Sequence, residues 1–368
     1  MARLKVGFIT PALYWGGAER WMLDLARFSG HALQWVGVAS VSPMSRDDTM
    51  VSLFRELMPV EEHGRNACRR VAQRADVLVS WGSYSLRRMI AGFRGPVVFT
   101  GHGQGTFDRN AAAASVRGAT HWAAVAEAAT PPIMAAGVPH DRIAVLHNGI
   151  DPGRCRKTRT RAEVRAELGV KPEQFLVGYV GRMVPEKNPR GVAEAVAMSP
   201  RNVRAVFVGG GWDRARQVAA CKGTLGRRAI FVDRIEDVGN YYGALDCFAQ
   251  ASPAEGFSMG MLEAMLCRVP CALTRVGVLP ELEALHGRHW ESVEPGTLQT
   301  SEQLGQAIQR IAAMTPAELA DRIDSASRIV EGNYLAEHMA ARWIEHLERI
   351  HAEWEPAAPR RARLQQVG

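Results

Sequence analysis

Two glutamates, Glu255 and Glu263, stand in the stretch SPAEGFSMGMLE of this 368-residue chain. Glu255 lies in a polar loop beside Gly256, whereas Glu263 falls within MGMLEAMLC, which is otherwise almost wholly apolar. A helix that is apolar on every side belongs in a core, and a carboxylate there is costly without a partner. Ser258 is placed to cap the N-terminus of that helix, and Pro270 to end it. One carboxylate then sits just outside a helix N-terminus and the second one turn inside it. That arrangement suits a ligand with several hydroxyls. The other use of Glu263 is structural, a buried carboxylate satisfied by backbone or by a nearby arginine.

Cations and glycines supply the remaining chemistry. The segment GRMVPEKNP follows an apolar run and holds Arg182 and Lys187. Open α/β sheets bind ligands at the C-terminal ends of their strands, and two cations there could neutralise a diphosphate leaving group. An exposed basic loop is the competing use. Gly16 and Gly17 lie between an apolar run and a helical pattern, where glycine lets backbone N–H groups approach a phosphate. Gly101, Gly103 and Gly105 lack the G-x-G-x-x-G spacing of a dinucleotide fingerprint. His102 sits among them with space around it, although a lone histidine is more often a structural hydrogen-bonder. NGID at 148–151 reads as a turn with a structural role.

The elements that must position these groups alternate. LKVGFIT, LQWVGVASV, ADVLVSW, GPVVFTGH, THWAAVAE and RIAVLHNG read as strands. Between them lie helical patterns such as AERWMLDLARFSG, MVSLFRELM and SLRRMIAGF, an Ala-rich stretch and a short TPPIMAAGV. Such alternation predicts a parallel, doubly wound sheet. DPGRCRKTRTR is basic without apolar period and reads as an interdomain linker. A second α/β set follows from FLVGYVG to VPCALTR. From about Leu304 the chain is mostly helical and closes on the amphipathic LAEHMAARWIEHLERIHAEW. The tail PAAPRRARLQQVG is expected to be disordered.

Apolar content of 47% and charge of 23% are globular values, and this length suggests about two domains. No run of 18 apolar residues occurs, so no membrane-spanning helix is expected. The opening MARLKVGFITPAL reads as a first strand, not a secretory signal. Six cysteines show no CxxC pair and no zinc spacing, which fits free thiols in a cytoplasmic protein. The net charge of +7 suits a solvated surface and leaves room for peripheral membrane contact. The basic run Arg154–Arg161 contains no aromatic residue, so nucleic-acid binding is not expected.

Taken together, these residues resemble a retaining glycosyltransferase of family 4, a group with the two-domain GT-B architecture. The matching pieces are GGAE near 16, TGH at 100, NGID at 148, VGRMVPEK at 180, GALD at 243, EGFSMGMLEAM at 255 and TRVGVLPE at 274, in the family's order. The resemblance implies two Rossmann-like doubly wound domains facing a central cleft: 1–158 for the acceptor and 159–336 for the nucleotide sugar. A helix at 337–355 would cross back to the first domain, followed by a tail at 356–368. It implies that Glu255 contacts the donor sugar, that Glu263 bonds the ribose hydroxyls, and that Arg182 and Lys187 bind the diphosphate. Gly16 and Gly17 would close the phosphate and acceptor side. His102 would lie near the anomeric centre. The backbone of Phe257, Ser258 and Met259 would face the phosphates, and Asp233, Arg234 and Ile235 would frame the base. Ser258, Arg268 and Val278 stand where the family often has glycine, as does Asp233 beside the base.

The expected reaction is transfer of a sugar from a nucleotide-diphosphate sugar, UDP-sugar favoured and GDP-sugar allowed, to a hydroxyl acceptor with retention. The acceptor would be a saccharide, a lipid-linked group or a small molecule. No prosthetic group is expected, and no Asp-x-Asp metal motif appears, so metal independence is the expectation. The same scaffold could instead house a sugar phosphorylase, a nucleotide-sugar epimerase or a non-catalytic sugar-nucleotide sensor.

Overall fold

The short Val-, Ile- and Phe-rich runs of the first half become strands β1 (Leu4–Thr10), β2 (Leu33–Ser40), β3 (Val60–His63), β4 (Val77–Ser80), β5 (Val97–Gly101), β6 (His121–Ala124) and β7 (Ile143–Val145). They pair in parallel in the order β3-β2-β1-β4-β5-β6-β7. The second half gives β8 (Phe175–Val180), β9 (Val203–Val208), β10 (Ala229–Val232), β11 (Cys247–Gln250), β12 (Cys271–Thr274) and β13 (Glu291–Val293). These are also parallel, in the order β10-β9-β8-β11-β12-β13. The computed structural model describes residues 2–42, 47–103, 109–296 and 299–355, with only the backbone at 109–112. Gly105 and the tail 356–368 lie outside the described residues.

Helices cover both faces of each sheet, which is why β1 keeps Val6, Phe8 and Ile9 wholly buried rather than alternating. In each sheet the strand order reverses once, between β1 and β4 and between β8 and β11. Connections leaving the strands on either side of such a point diverge to opposite faces and open a crevice at the carboxyl ends. The loops after β1, β8 and β11 are those that hold Gly16–Gly17, Arg182–Lys187 and Glu255.

Four elements escaped the sequence reading: β3, the helix Arg65–Arg74, the helix Leu279–His286 and β13. The helix Arg65–Arg74 buries only Ala67, Cys68, Val71 and Ala72, a stripe of small residues obscured by its arginines. β13 is three residues long, too short to show a period. The NGID turn has the structural role expected of it. Ile150 N–H donates to the Tyr334 carbonyl at 2.8 Å, and Ala336 N–H donates to the Ile150 carbonyl at 2.9 Å. A side chain at Gly149 would overlap the Leu335 carbonyl. This stitch directs the last helix, Ala336–Ala352, onto the first, where the Trp343 and Trp21 rings lie 5.3 Å apart. No helix of the described residues is long and apolar enough to cross a membrane.

Candidate active site

The loop after β8 presents Arg182 and Lys187, and the loop after β11 presents Glu255. Lys187 Nζ and a Glu255 carboxylate oxygen form a close ion pair. Asn188 holds this loop in place. It takes the left-handed region at φ +46, which asparagine tolerates better than most residues. Its Oδ1 accepts the Gly191 N–H at 3.0 Å, and its Nδ2 donates to the Ala251 carbonyl at 3.1 Å. The buried Tyr179 hydroxyl donates to the Arg182 carbonyl at 2.5 Å. The Arg182 guanidinium itself has no hydrogen bond or ion pair among the described residues. Its charge acts across the cleft on Tyr14 and Glu19 of the first domain.

The helix Met259–Leu266 begins beside this pair. Ser258 stands at its N-cap position but does not cap it, which corrects the expectation. At φ +81 its Oγ donates instead to Gln250 Oε1 at 2.5 Å, bracing the loop against β11. Two of the four suspected glycine positions do adopt the left-handed backbone that favours glycine, Ser258 and Arg268 at φ +63. Val278 does not, at φ −77; its neighbour Gly277 does, at φ +64. Asp233 is exposed and pairs with Arg214 at 2.9 Å.

Glu263 is 5% exposed and is partnered on both oxygens. Oε1 accepts from Arg154 Nε at 2.7 Å, and Oε2 lies 3.2 Å from the Tyr242 hydroxyl. Burial alone would lower the Arg154 pKa, but the charge and hydrogen bond of Glu263 outweigh it and raise it. Arg154 comes from the basic stretch that joins the two α/β sets. Thr158 and Arg159 N–H groups donate to Asn240 Oδ1 at 2.8 and 3.0 Å. Arg165 Nη1 reaches Asp246 at 3.0 Å. A side chain at Gly239 would come within 2.7 Å of the Arg156 carbonyl. The stretch is a strap fastened to the second domain.

On the first domain, Gly16 is the N-cap and Gly17 the first residue of the helix Gly17–Ser29. A Cβ at Gly17 would meet nothing within 4 Å, whereas one at Gly16 would lie 2.6 Å from Glu19 Oε2. Glu19 is 1% exposed, and its Oε1 has no partner. Burial pushes its pKa up to about 8, against the opposing pull of its own backbone N–H and of Arg182. Arg234, expected at the base, reaches across to this domain. Its Nη1 bonds Asp47 Oδ2 at 2.6 Å, and its guanidinium lies 4.5 Å from the Trp15 ring centroid.

His102 follows β5 with Nε2 buried and unpartnered, its ring 4.6 Å from Trp21 and 5.7 Å from Trp81. Burial lowers its pKa to about 3, so the imidazole is neutral. Its carbonyl lies directly against Gly256, where no side chain would fit, and a Cβ at Gly103 would be 2.6 Å from Gly256 Cα. The two domains therefore touch backbone to backbone next to Glu255. A second tie lies at Glu281, which accepts the Glu127 N–H at 2.9 Å and pairs with His147 Nε2 at 2.7 Å.

Arg182, Lys187, Glu255, His102, Gly16 and Gly17 thus come from four loops to the facing ends of two sheets. Met259 opens the helix behind them, and the Phe257 ring turns into the core, 6.2 Å from His147. Trp21, Trp81 and Tyr84 are buried core residues. Sequence reasoning missed Glu19, Arg154, Tyr179 and Tyr242. Only Glu19 had a signal, the last letter of GGAE. Among the described residues no three His, Cys, Asp or Glu side chains converge as metal ligands.

Residues 160–328 match the family model described as glycosyl transferases group 1. The chain is similar to a D-inositol 3-phosphate glycosyltransferase of Rhodococcus jostii (strain RHA1), 32% identical over 57% of this chain and 48% of that protein. The corresponding protein of Mycobacterium sp. (strain KMS) is 34% identical over 38% of this chain and 33% of its own length. The chain thus spans about half the length, or less, of these curated relatives. Among solved structures it resembles Anabaena HepE in complex with UDP and glucose, with a TM-score of 0.80, 22% identity, and 94% and 100% of the two chains covered. It also resembles sucrose-phosphate synthase from Thermosynechococcus elongatus, with a TM-score of 0.75, 18% identity, and 96% and 100% covered. These likenesses give the fold, two Rossmann-like domains in the GT-B arrangement. The match to the glycosyl transferases group 1 model thus falls on the second domain.

Proposed function

We propose that the cleft transfers a sugar from a nucleoside-diphosphate donor to a hydroxyl acceptor with retention of configuration. The observation that carries this reading is Arg182, a cation without a partner among the described residues. It stands at the switch point of the second sheet and faces the glycine-started helix of the first. An unpaired guanidinium facing a helix N-terminus of the other domain is built for an anion that bridges the domains. Lys187, released from or shared with Glu255, would add a second charge to a departing diphosphate. Glu255 would then turn to sugar hydroxyls, Glu263 with Arg154 would meet the ribose, and Arg234 would close the base end. Charge develops on the leaving group as the bond breaks, and fixed cations and N–H groups would stabilise it there. The neutral His102 would offer a hydrogen bond beside the anomeric carbon. The HepE complexes with UDP and UDP-glucose support a UDP donor.

The test is release of nucleoside diphosphate from UDP-glucose and GDP-mannose in the presence of a panel of polyols and saccharides, with the product anomer read by NMR. Acceptor-dependent release with a retained anomer is expected. Release without any glycosylated product, or with inversion, would contradict the reading.

A further inference from the structure

On the facing loops Lys187 pairs with Glu255 and Arg234 with Asp47, whereas Arg182 is free among the described residues; the Glu19 carboxyl differs from all of these. It is almost fully buried in the first turn of a 13-residue helix. Its Oε2 lies against Gly16, its own N–H is bonded back to the carboxyl, and Oε1 is unpartnered. The charged and titratable groups that act on it are Arg182 from the second domain and, from the loop before the helix, Tyr14. Arg20, next along the helix, is turned to Trp15 and Asp24 instead. We infer that Glu19 is a neutral hydrogen-bond donor for a phosphate oxygen of the ligand, its acid proton on Oε1 and shared with the anion held by Arg182.

The inference rests on the nucleoside-diphosphate reading and adds a way of recognising that ligand. A carboxylate at this position would repel a diphosphate and compete with it for Arg182. A carboxylic acid does neither and supplies a short O–H···O bond to the charged oxygen. Burial without a partner favours that neutral form, and a bound anion favours it further. Anion affinity should then fall once Glu19 ionises, above about pH 8. The competing use, an ionised carboxylate that only closes the first helical turn, predicts no such fall.

Calorimetric titration of the whole chain with UDP, GDP and inorganic pyrophosphate, from about pH 6.5 to 9.5, distinguishes these. For the wild type, affinity should drop by about tenfold per pH unit above the Glu19 pKa. Glu19→Gln, whose amide keeps a donor but cannot ionise, should bind within a few-fold of wild type at neutral pH and show no such drop. Glu19→Ala should bind at least tenfold more weakly at neutral pH. Thermal melting checks that both variants fold, and Glu19→Gln decides the matter if Glu19→Ala does not. A wild-type profile matching that of Glu19→Gln overturns the inference while leaving the nucleotide reading intact. Binding of pyrophosphate with the predicted pH profile, but of neither nucleotide, overturns the nucleotide reading alone. Binding of none of the three overturns both.

Discussion

Glu19 in the first domain and Glu263 in the second are buried almost equally, 1% and 5% exposed, Glu19 in the first turn of its helix and Glu263 one turn inside its own. They solve burial in opposite ways. Glu263 keeps its charge company, with Arg154 on one oxygen and the Tyr242 hydroxyl near the other. Glu19 has no cation in contact, and burial pushes its pKa up to about 8. The difference lies in what the neighbouring chain delivers. The strap after NGID lays an arginine beside Glu263, whereas the loop before Glu19 delivers two glycines and leaves its one nearby cation, Arg182, across the cleft. A buried carboxylate is thus read by its partners, not by its burial. The second domain is fastened internally, and the first is left with an open valence toward the cleft.

The largest effect that would sharpen this contrast is on turnover. Arg182→Ala or Lys187→Ala should lower kcat/KM by about 2–4 kcal/mol in transition-state terms; near-normal steady-state turnover in both would remove the leaving-group role. Next comes the fastening. Arg154→Ala leaves the Glu263 carboxylate buried and unpaired, and should destabilise the fold by about 3 kcal/mol in chemical denaturation. Replacing both partners, as in Arg154→Met with Glu263→Leu, should cost markedly less. Equal losses would show that the pair is not what holds the strap.

Glu19 should make stability depend on pH. Its folded pKa is raised from 4.5 to about 8, so its contribution to stability is fully present below the unfolded value of 4.5 and is lost as pH rises through about 8. The advantage of Glu19→Gln over wild type in urea midpoint should therefore grow between these values and then level off. A pH-independent difference would mean that Glu19 finds a counter-charge. Smallest is a backbone effect. Arg268 sits at φ +63 on the surface, where its ion pair with Asp324 is worth little, so Arg268→Gly should stabilise by about 0.5–1 kcal/mol. Ser258→Gly should gain less, because it also removes the bond to Gln250. Comparing the two melting shifts checks the point.

Much of the second domain's half of the site was legible in the sequence. Arg182, Lys187, Glu255 and Glu263 are charged residues inside or beside apolar runs, and such placements have few explanations. Their partners were not legible. Arg154 meets Glu263 across 109 positions, and nothing in DPGRCRKTRTR distinguishes a docking arginine from a solvated one. Nothing in the sequence distinguishes Tyr179 and Tyr242 from other core aromatics, yet their hydroxyls donate to the Arg182 and Gly260 carbonyls. Ser258 was misread because serine suits both an N-cap and a left-handed turn, and the side chain follows whichever the backbone adopts. The resemblance places Arg234 at the base, and nothing in the sequence marks its contacts with Asp47 and Trp15 of the other domain.

On the proposed function, the cleft between the two switch points binds a nucleoside diphosphate through Arg182 and Glu263. Calorimetric titration of UDP, GDP and ADP into wild type, Arg182→Ala and Glu263→Ala at neutral pH tests it most directly. At least one nucleotide should bind, each variant should weaken it tenfold or more, and both variants should keep a cooperative melt. Binding unchanged in two folded variants, or no binding of any of the three to wild type, would contradict it.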